Sequence, residues 1–212
     1  MRVLMMLVVA AWSAASQQTQ TVSAGRPQAA ARATVALDNP RVRAYRTTIG
    51  VLDGVRHGPG VVIWLRDGPS GRAGHAIWLE DAAVRPAVGE SHDQIVIVQP
   101  LERAAPRADA PSGSQPGDAA FTGMSFVPLF ENARVSVIRA RMEVDAREGV
   151  HTHGSDTIVV HLSGGEIEDT ANGKTVVNRW KPGDVELESR GSSHSARNIS
   201  HPVDVVLVAL EP

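Results

Sequence analysis

From residue 34 to the C-terminal end, the chain is a succession of short β-branched and aliphatic runs, broken by Gly, Pro, Asn or Asp at intervals of roughly 8–15 residues. Val135, Val137, Ile158, Val160, Leu162, Val205 and Leu207 lie in such runs, and no segment carries the stripe of a long amphipathic helix. The pattern predicts an all-β chain built as an antiparallel sandwich or barrel. Asn172-Gly173, between Ile167-Glu168 and Thr175-Val176-Val177, predicts a two-residue hairpin, because Asn-Gly readily takes the positive φ angles of a type I′ turn.

Composition shifts divide the chain. Residues 1–16 combine Arg2, an apolar stretch over 3–12 and the small residues Ser13-Ala14-Ala15-Ser16, the pattern of a signal peptide too short to span a bilayer. Residues 17–33, rich in Gln, Ala, Thr and Ser, are expected to form a flexible leader, so the mature protein is expected to be periplasmic or secreted, without stable membrane insertion. Residues 102–120 crowd Pro, Gly, Ser and Ala without periodicity and are expected to be a linker between units at 34–101 and 121–212. These units echo one another. Asn39-Pro-Arg-Val-Arg-Ala-Tyr-Arg46 matches Asn132-Ala-Arg-Val-Ser-Val-Ile-Arg139 at an offset of 93, and the runs DQIVIVQPLE and VDVVLVALEP correspond as well.

The absence of cysteine excludes thiol nucleophiles, disulfides and Cys-ligated metals. A formal net charge of −2 offers no overall attraction to nucleic acid. No GxSxG elbow, P-loop or GxGxxG after a strand occurs, so hydrolase, NTPase and dinucleotide chemistries have no starting point. Five of the eight histidines lie in the second half: His151, His153, His161, His194 and His201. In a strand, His151 and His153 share a face, where two imidazoles can converge on one ion. His161 has the same parity but lies about 13 Å beyond Thr157 along a strand, so it reads as a core histidine ahead of a pocket residue. Glu186 and Glu188 alternate with Val185 and Leu187 and read as the solvent face of a half-buried strand. Trp180 reads as a packing residue, and Asp156 as a turn residue ahead of a ligand.

Around those histidines the second half resembles the cupin superfamily over about residues 125–211. Its first motif falls on His151, His153, Thr157 and Gly164, and its second on Gly183, Ser189 (in place of Pro), Gly191, His194 and Asn198. The resemblance implies two tandem jelly-roll β-barrel units, the first truncated and degenerate. It also implies a divalent metal ion (Fe, Mn, Ni, Cu or Zn) held by His151, His153 and His194. Where the family offers a carboxylate, this chain has Thr157, so the site is either three-His or completed by Asp156, Glu148 or Glu186. In the first half His57 stands near the place of His153 but lacks an HxH partner, His75 and His92 miss the ligand positions, and that half is expected to cover the barrel or extend its sheet edge. Two functions stay open: a metal-dependent oxygenase or isomerase acting on a small molecule, and a non-catalytic protein that binds a small molecule or a metal. A homodimer is compatible with either.

Overall fold

A computed structural model describes residues 32–83, 92–108 and 121–212, and residues 31–212 form one compact unit. The proposed signal peptide, all but the last two residues of the leader and residues 109–120 of the linker lie outside the described residues. Among the described residues all regular structure is β, as the alternating runs predict, and no helix is long and apolar enough to cross a membrane.

The first half forms five strands: β1 (Thr34–Asp38), β2 (Val42–Thr48), β3 (Gly60–Trp64), β4 (Ala76–Leu79) and β5 (Gln94–Pro100). The second forms eight: β6 (Phe121–Glu131), β7 (Val135–Thr152), β8 (Thr157–His161), β9 (Gly165–Ala171), β10 (Lys174–Trp180), β11 (Val185–Glu188), β12 (Ser193–Asn198) and β13 (Val203–Leu210). The first sheet runs β1-β2-β5-β3-β4. The second runs β10-β9-β12-β7-β13-β8-β11, with β6 paired to β7. Within it, β6-β7-β13-β8-β11 repeats the order of the first sheet, and the registers agree. Val42 faces Pro100 as Val135 faces Leu210, Val61 faces Val98 as Ile158 faces Val208, and Ile63 faces Ala76 as Val160 faces Val185. The matched Asn residues also act alike. Asn39 Oδ1 accepts from the amides of Arg41 and Val42 at 2.9 and 3.0 Å, and Asn132 Oδ1 from those of Arg134 and Val135 at 2.8 and 3.0 Å.

The two sheets pack face to face. One apolar cluster takes Val42, Ala44, Val61, Ile63, Val96 and Val98 from the first half and their counterparts Val135, Val137, Ile158, Val160, Val206 and Val208 from the second. The first half therefore covers a face of the second rather than extending its edge. The opposite face of the first sheet is filled by its own side chains, including Tyr45, Val62, Trp64, Ile95 and Ile97. Trp64 occupies the register position that His161 holds in the second half, so apolar bulk stands where the second half keeps polar groups.

The second sheet curls because β7 bends. Its first part pairs with β13 as far as Met142 and its last part with β12 from Arg147 onward. Between them Asp145 takes φ 62°, and opposite it Gly123 (φ 67°) interrupts the register of β6. The bend sets β12, β9 and β10 against β13, β8 and β11 as two walls of an antiparallel barrel. Asn172 and Gly173, at φ 52° and 72°, make the expected type I′ hairpin between β9 and β10.

Candidate metal centre

The three predicted ligands meet at one place between the walls. His151 is the penultimate residue of β7, His153 follows the strand, and His194 on β12 is the direct cross-strand partner of His151. A turn closes this corner: the His153 amide donates to Ser192 O at 2.9 Å and the Gly191 amide to His153 O at 2.8 Å. Gly191 sits at φ 80°, a conformation that a side chain disfavours, which accounts for the glycine in the second motif. Asn198, the last residue of that motif, is fully buried and touches no ligand atom. Its amide donates to the carbonyls of Met142, Glu143 and His201 and ties the end of β12 to β7.

The ring centroids of the three imidazoles are 4.6–5.0 Å apart, and one nitrogen from each lies within 4.8 Å of the others. Backbone and carboxylate groups set their tautomers. His194 Nδ1 donates to Asp169 Oδ1 at 2.8 Å and His151 Nδ1 to Gly149 O at 2.9 Å. Both acceptors lack hydrogens, so both Nε2 atoms carry lone pairs. His153 Nε2 stands 3.0 Å from His194 Nε2. Two imidazole nitrogens bound to one ion at 2.0–2.1 Å and at right angles are separated by about 2.9 Å, so the spacing suits a shared cation as well as a shared proton. Three convergent imidazole nitrogens, two of them on rings oriented from behind by hydrogen bonds at Nδ1, form a donor set that fits a divalent transition metal.

The carboxylate missing at position 157 stands on the neighbouring strand. Thr157 is paired across the β8–β11 ladder with Glu188, whose carboxyl oxygens lie 3.4 Å from His153 Nδ1 and 3.8 Å from His194 Nε2. This overturns the solvent-face reading of Glu186 and Glu188. Val185 and Leu187 pack on the cluster between the sheets, so the alternate face of β11 looks into the barrel and not into water. Of the other carboxylates considered, Glu148 comes within 4.0 Å of His194 Nε2. Glu186 instead meets His161 Nε2 at 3.2 Å. Asp156 is buried away from the centre, paired with Arg41 at 2.7 Å and accepting from the Arg190 amide at 2.9 Å. His161 is 1% exposed and stacks on Trp180 at 4.6 Å, so one histidine is both packed and part of the cavity wall. In the first half His57 pairs with Asp81 and His75 stacks on Trp64, while His92 is exposed.

Burial and the two neighbouring imidazoles lower the His153 pKa to about 4, so this ring stays neutral below pH 6, where an ordinary histidine protonates. Glu188 moves the other way. Burial, reinforced by Glu186, Glu148 and Asp169, raises it to about 8, and His153 offers no compensating charge because it is neutral. Burial also raises Glu148 above the ordinary carboxylate range.

These shifts predict the pH dependence of stability in the metal-free chain. Between the ordinary value of 4.5 and about 8, the folded state holds a Glu188 proton that the unfolded state has lost. Stability therefore falls as pH rises through that window, by up to about 1.4 kcal/mol per pH unit. His153 acts oppositely between about 4 and 6.5, favouring the folded state as pH rises. The two oppose one another over the shared range, with Glu148 adding to the Glu188 trend, and above about pH 6.5 the decline towards pH 8 is unopposed by His153. Thermal unfolding of chelator-treated protein at pH 6 and 8.5 checks this, and greater stability at 8.5 contradicts it.

A cavity of about 280 Å³ opens beside the triad. Phe121 and Phe126, half exposed and packed edge to face at 5.9 Å, border it, and Phe121 leans on His151 at 5.2 Å. A second hollow, bounded by Asp169, Trp180, Glu186 and Glu188, reaches the triad from the β9–β10 side.

Neither a protein-family model nor a curated protein matches the sequence. The triad is carried by an eight-stranded antiparallel sheet curled into a barrel, and solved structures similar to part of the chain include cupin domains. A cupin domain of Bordetella pertussis Tohama I is 21% identical over 44% of this chain and 98% of its own, with a TM-score of 0.41. A predicted oxalate decarboxylase of Thermotoga maritima is 26% identical over 41% of this chain and 80% of its own, with a TM-score of 0.34. The polyketide cyclase of Streptomyces resistomycificus is 16% identical over 48% and 72%, with a TM-score of 0.38.

Asp169 is the group behind the ligand that spacing could not reveal, because it reaches His194 only through the β9–β12 pairing. Asp169→Asn keeps the shape but can present an N–H to Nδ1 and release the tautomer. Metal affinity is expected to fall about 10–100-fold, read by competition with a chromogenic chelator. Unchanged affinity excludes this role.

Proposed function

We propose that the chain is a metal-dependent enzyme acting on a small molecule, an oxygenase or an isomerase, with His151, His153 and His194 holding a divalent ion. The observation that carries this reading is Glu188, an acid/base group buried within 4 Å of two of the three convergent imidazoles and facing a largely apolar cavity. A carboxyl group buried beside a metal site and open to a cavity is the kind of group that general acid–base chemistry uses. When bound, the ion would polarise a substrate oxygen or activate O₂.

The chain's own residues supply the rest. Asp169 and Gly149 fix the rings that present Nε2 to the site. Glu188, the carboxyl group beside His153 and His194, is placed to give a proton to a substrate oxygen and later recover it. Phe126, Met142, Val159 and Val205 line the cavity and exclude water around the reacting atoms. Elemental analysis of the purified protein, followed by oxygen-uptake and proton-exchange assays on candidate small molecules, tests the reading. Stoichiometric metal with turnover that falls in Glu188→Gln supports it. Metal without turnover on any candidate favours the non-catalytic binding protein.

We also propose export to the periplasm or the exterior, supported by the apolar stretch and small-residue boundary in residues 1–16. Intact mass showing cleavage near residues 15–17 supports it, and full-length cytosolic protein contradicts it.

A further inference from the structure

We propose that the outer face of the barrel carries a second binding site, for a phosphate or sulfate group, built on Arg147 and Arg197 and separate from the histidine triad. The cross-strand register sets it up. One row of residues crosses five strands, from Val177 on β10 through Glu168 on β9, Arg197 on β12 and Arg147 on β7 to Thr122 on β6. Side chains alternate along β7, so Arg147 borders an outer hollow while Glu148, the next residue, approaches His194 from within. Two arginines are thereby set directly opposite one another on adjacent strands, an arrangement that costs stability when no anion lies between them. The carboxylates nearby serve Arg197. Its Nη2 donates to Asp145 Oδ1 at 2.6 Å, Glu168 Oε2 stands 3.8 Å from its Nη1, and its Nε is buried with no acceptor. Arg147 has neither an ion pair nor a hydrogen bond among the described residues, and Glu168 is two strands away from it, about 9.6 Å at the usual spacing. The hydroxyls of Thr122 and Ser195, which border the same hollow, are also unbonded among the described residues.

Guanidinium and hydroxyl donors thus gather around one hollow of about 460 Å³, on the reverse of the two strands that carry His151 and His194. A tetrahedral oxyanion is the group this donor set fits. Guanidinium forks bind phosphate and sulfate through paired N–H···O bonds, and an anion between the two arginines replaces their repulsion with two attractions. A carboxylate has two oxygens in one plane, enough for one fork, whereas a tetrahedral group has oxygens for both forks and for the hydroxyls. Size decides whether the anion stands alone. A cavity of roughly 150 Å³ is enough for benzene, so this hollow has room for an organic group attached to the phosphate. Val150, 63% exposed at the edge of the hollow, offers such a group an apolar contact.

The test is isothermal titration of the full-length purified protein with inorganic phosphate, phenyl phosphate and acetate, at one ionic strength held with chloride. Phosphate is expected to bind at least roughly tenfold more tightly than acetate. Arg147→Gln is expected to weaken phosphate at least about tenfold and, without phosphate, to raise the midpoint of thermal unfolding by removing the like-charge pair. Unchanged affinity in this variant overturns the proposal, and so does a loss of affinity accompanied by a lowered midpoint, which marks a merely structural arginine. A metal ion at the triad can also hold phosphate, so His151→Ala supplies the control. Phosphate binding that survives in His151→Ala and fails in Arg147→Gln supports the outer site, and the reverse pattern overturns it. Phosphate that binds no better than acetate overturns it as well. Tighter binding of phenyl phosphate than of phosphate assigns the site to an ester, and the opposite order assigns it to the free anion.

Discussion

Replacing His151, His153 or His194 with alanine is expected to reduce bound metal from about one ion per chain to a small fraction of that. The proposed ligands are the three convergent imidazoles, so each variant would leave only two of these nitrogens. A rigid barrel corner pinned by the Gly191 turn also has little freedom to bring in a replacement. The loss should exceed the 10–100-fold typical of removing a group behind a ligand. Metal that saturates the parent at about 100 times its dissociation constant stabilises it by about 2.7 kcal/mol, and each variant should lose that increment. His161→Ala serves as the contrast: it removes a stacked, buried ring without touching the triad, so metal content should persist although the fold weakens. Full metal retention in all three ligand variants defeats the assignment. Elemental analysis and thermal unfolding with and without added metal provide the measurement.

Trp64→Ala is expected to destabilise the chain by about 3–5 kcal/mol, the range for deleting a large buried aromatic ring. Trp64 is 1% exposed, fills the interior of the first sheet beside Val62 and Ile95, stacks on His75 at 5.0 Å and donates from Nε1 to Ser70 Oγ at 2.9 Å. For a chain of this size the midpoint of thermal unfolding should fall by about 6–20 °C. Well below that midpoint metal stoichiometry should be unchanged, because among the described residues the clustered histidines all lie in the second half. The triple variant of His57, His75 and His92 should likewise keep its metal. A proportional loss of metal in either variant would place a ligand in the first half.

The sequence by itself determined what short-range geometry controls. The strand period of two put His151 and His153 on one face, the Asn172-Gly173 pair dictated its hairpin, and the spacing from Gly183 to His194 picked out the third histidine of the cluster. The offset of 93 between Asn39 and Asn132 pointed to strands that do share order and register. Tertiary structure decided which groups surround those ligands. The alternation of Val185, Glu186, Leu187 and Glu188 states only that two faces differ; water and a polar cavity impose the same pattern. Only the packing of Val185 and Leu187 against the facing sheet turned the two glutamates inward. The same holds for the carboxylate absent at Thr157 and present on Glu188, and for Asp169 behind His194. Each contact depends on a cross-strand register between residues 25 or more positions apart, set by the curl of the whole sheet and written in no local run of the chain.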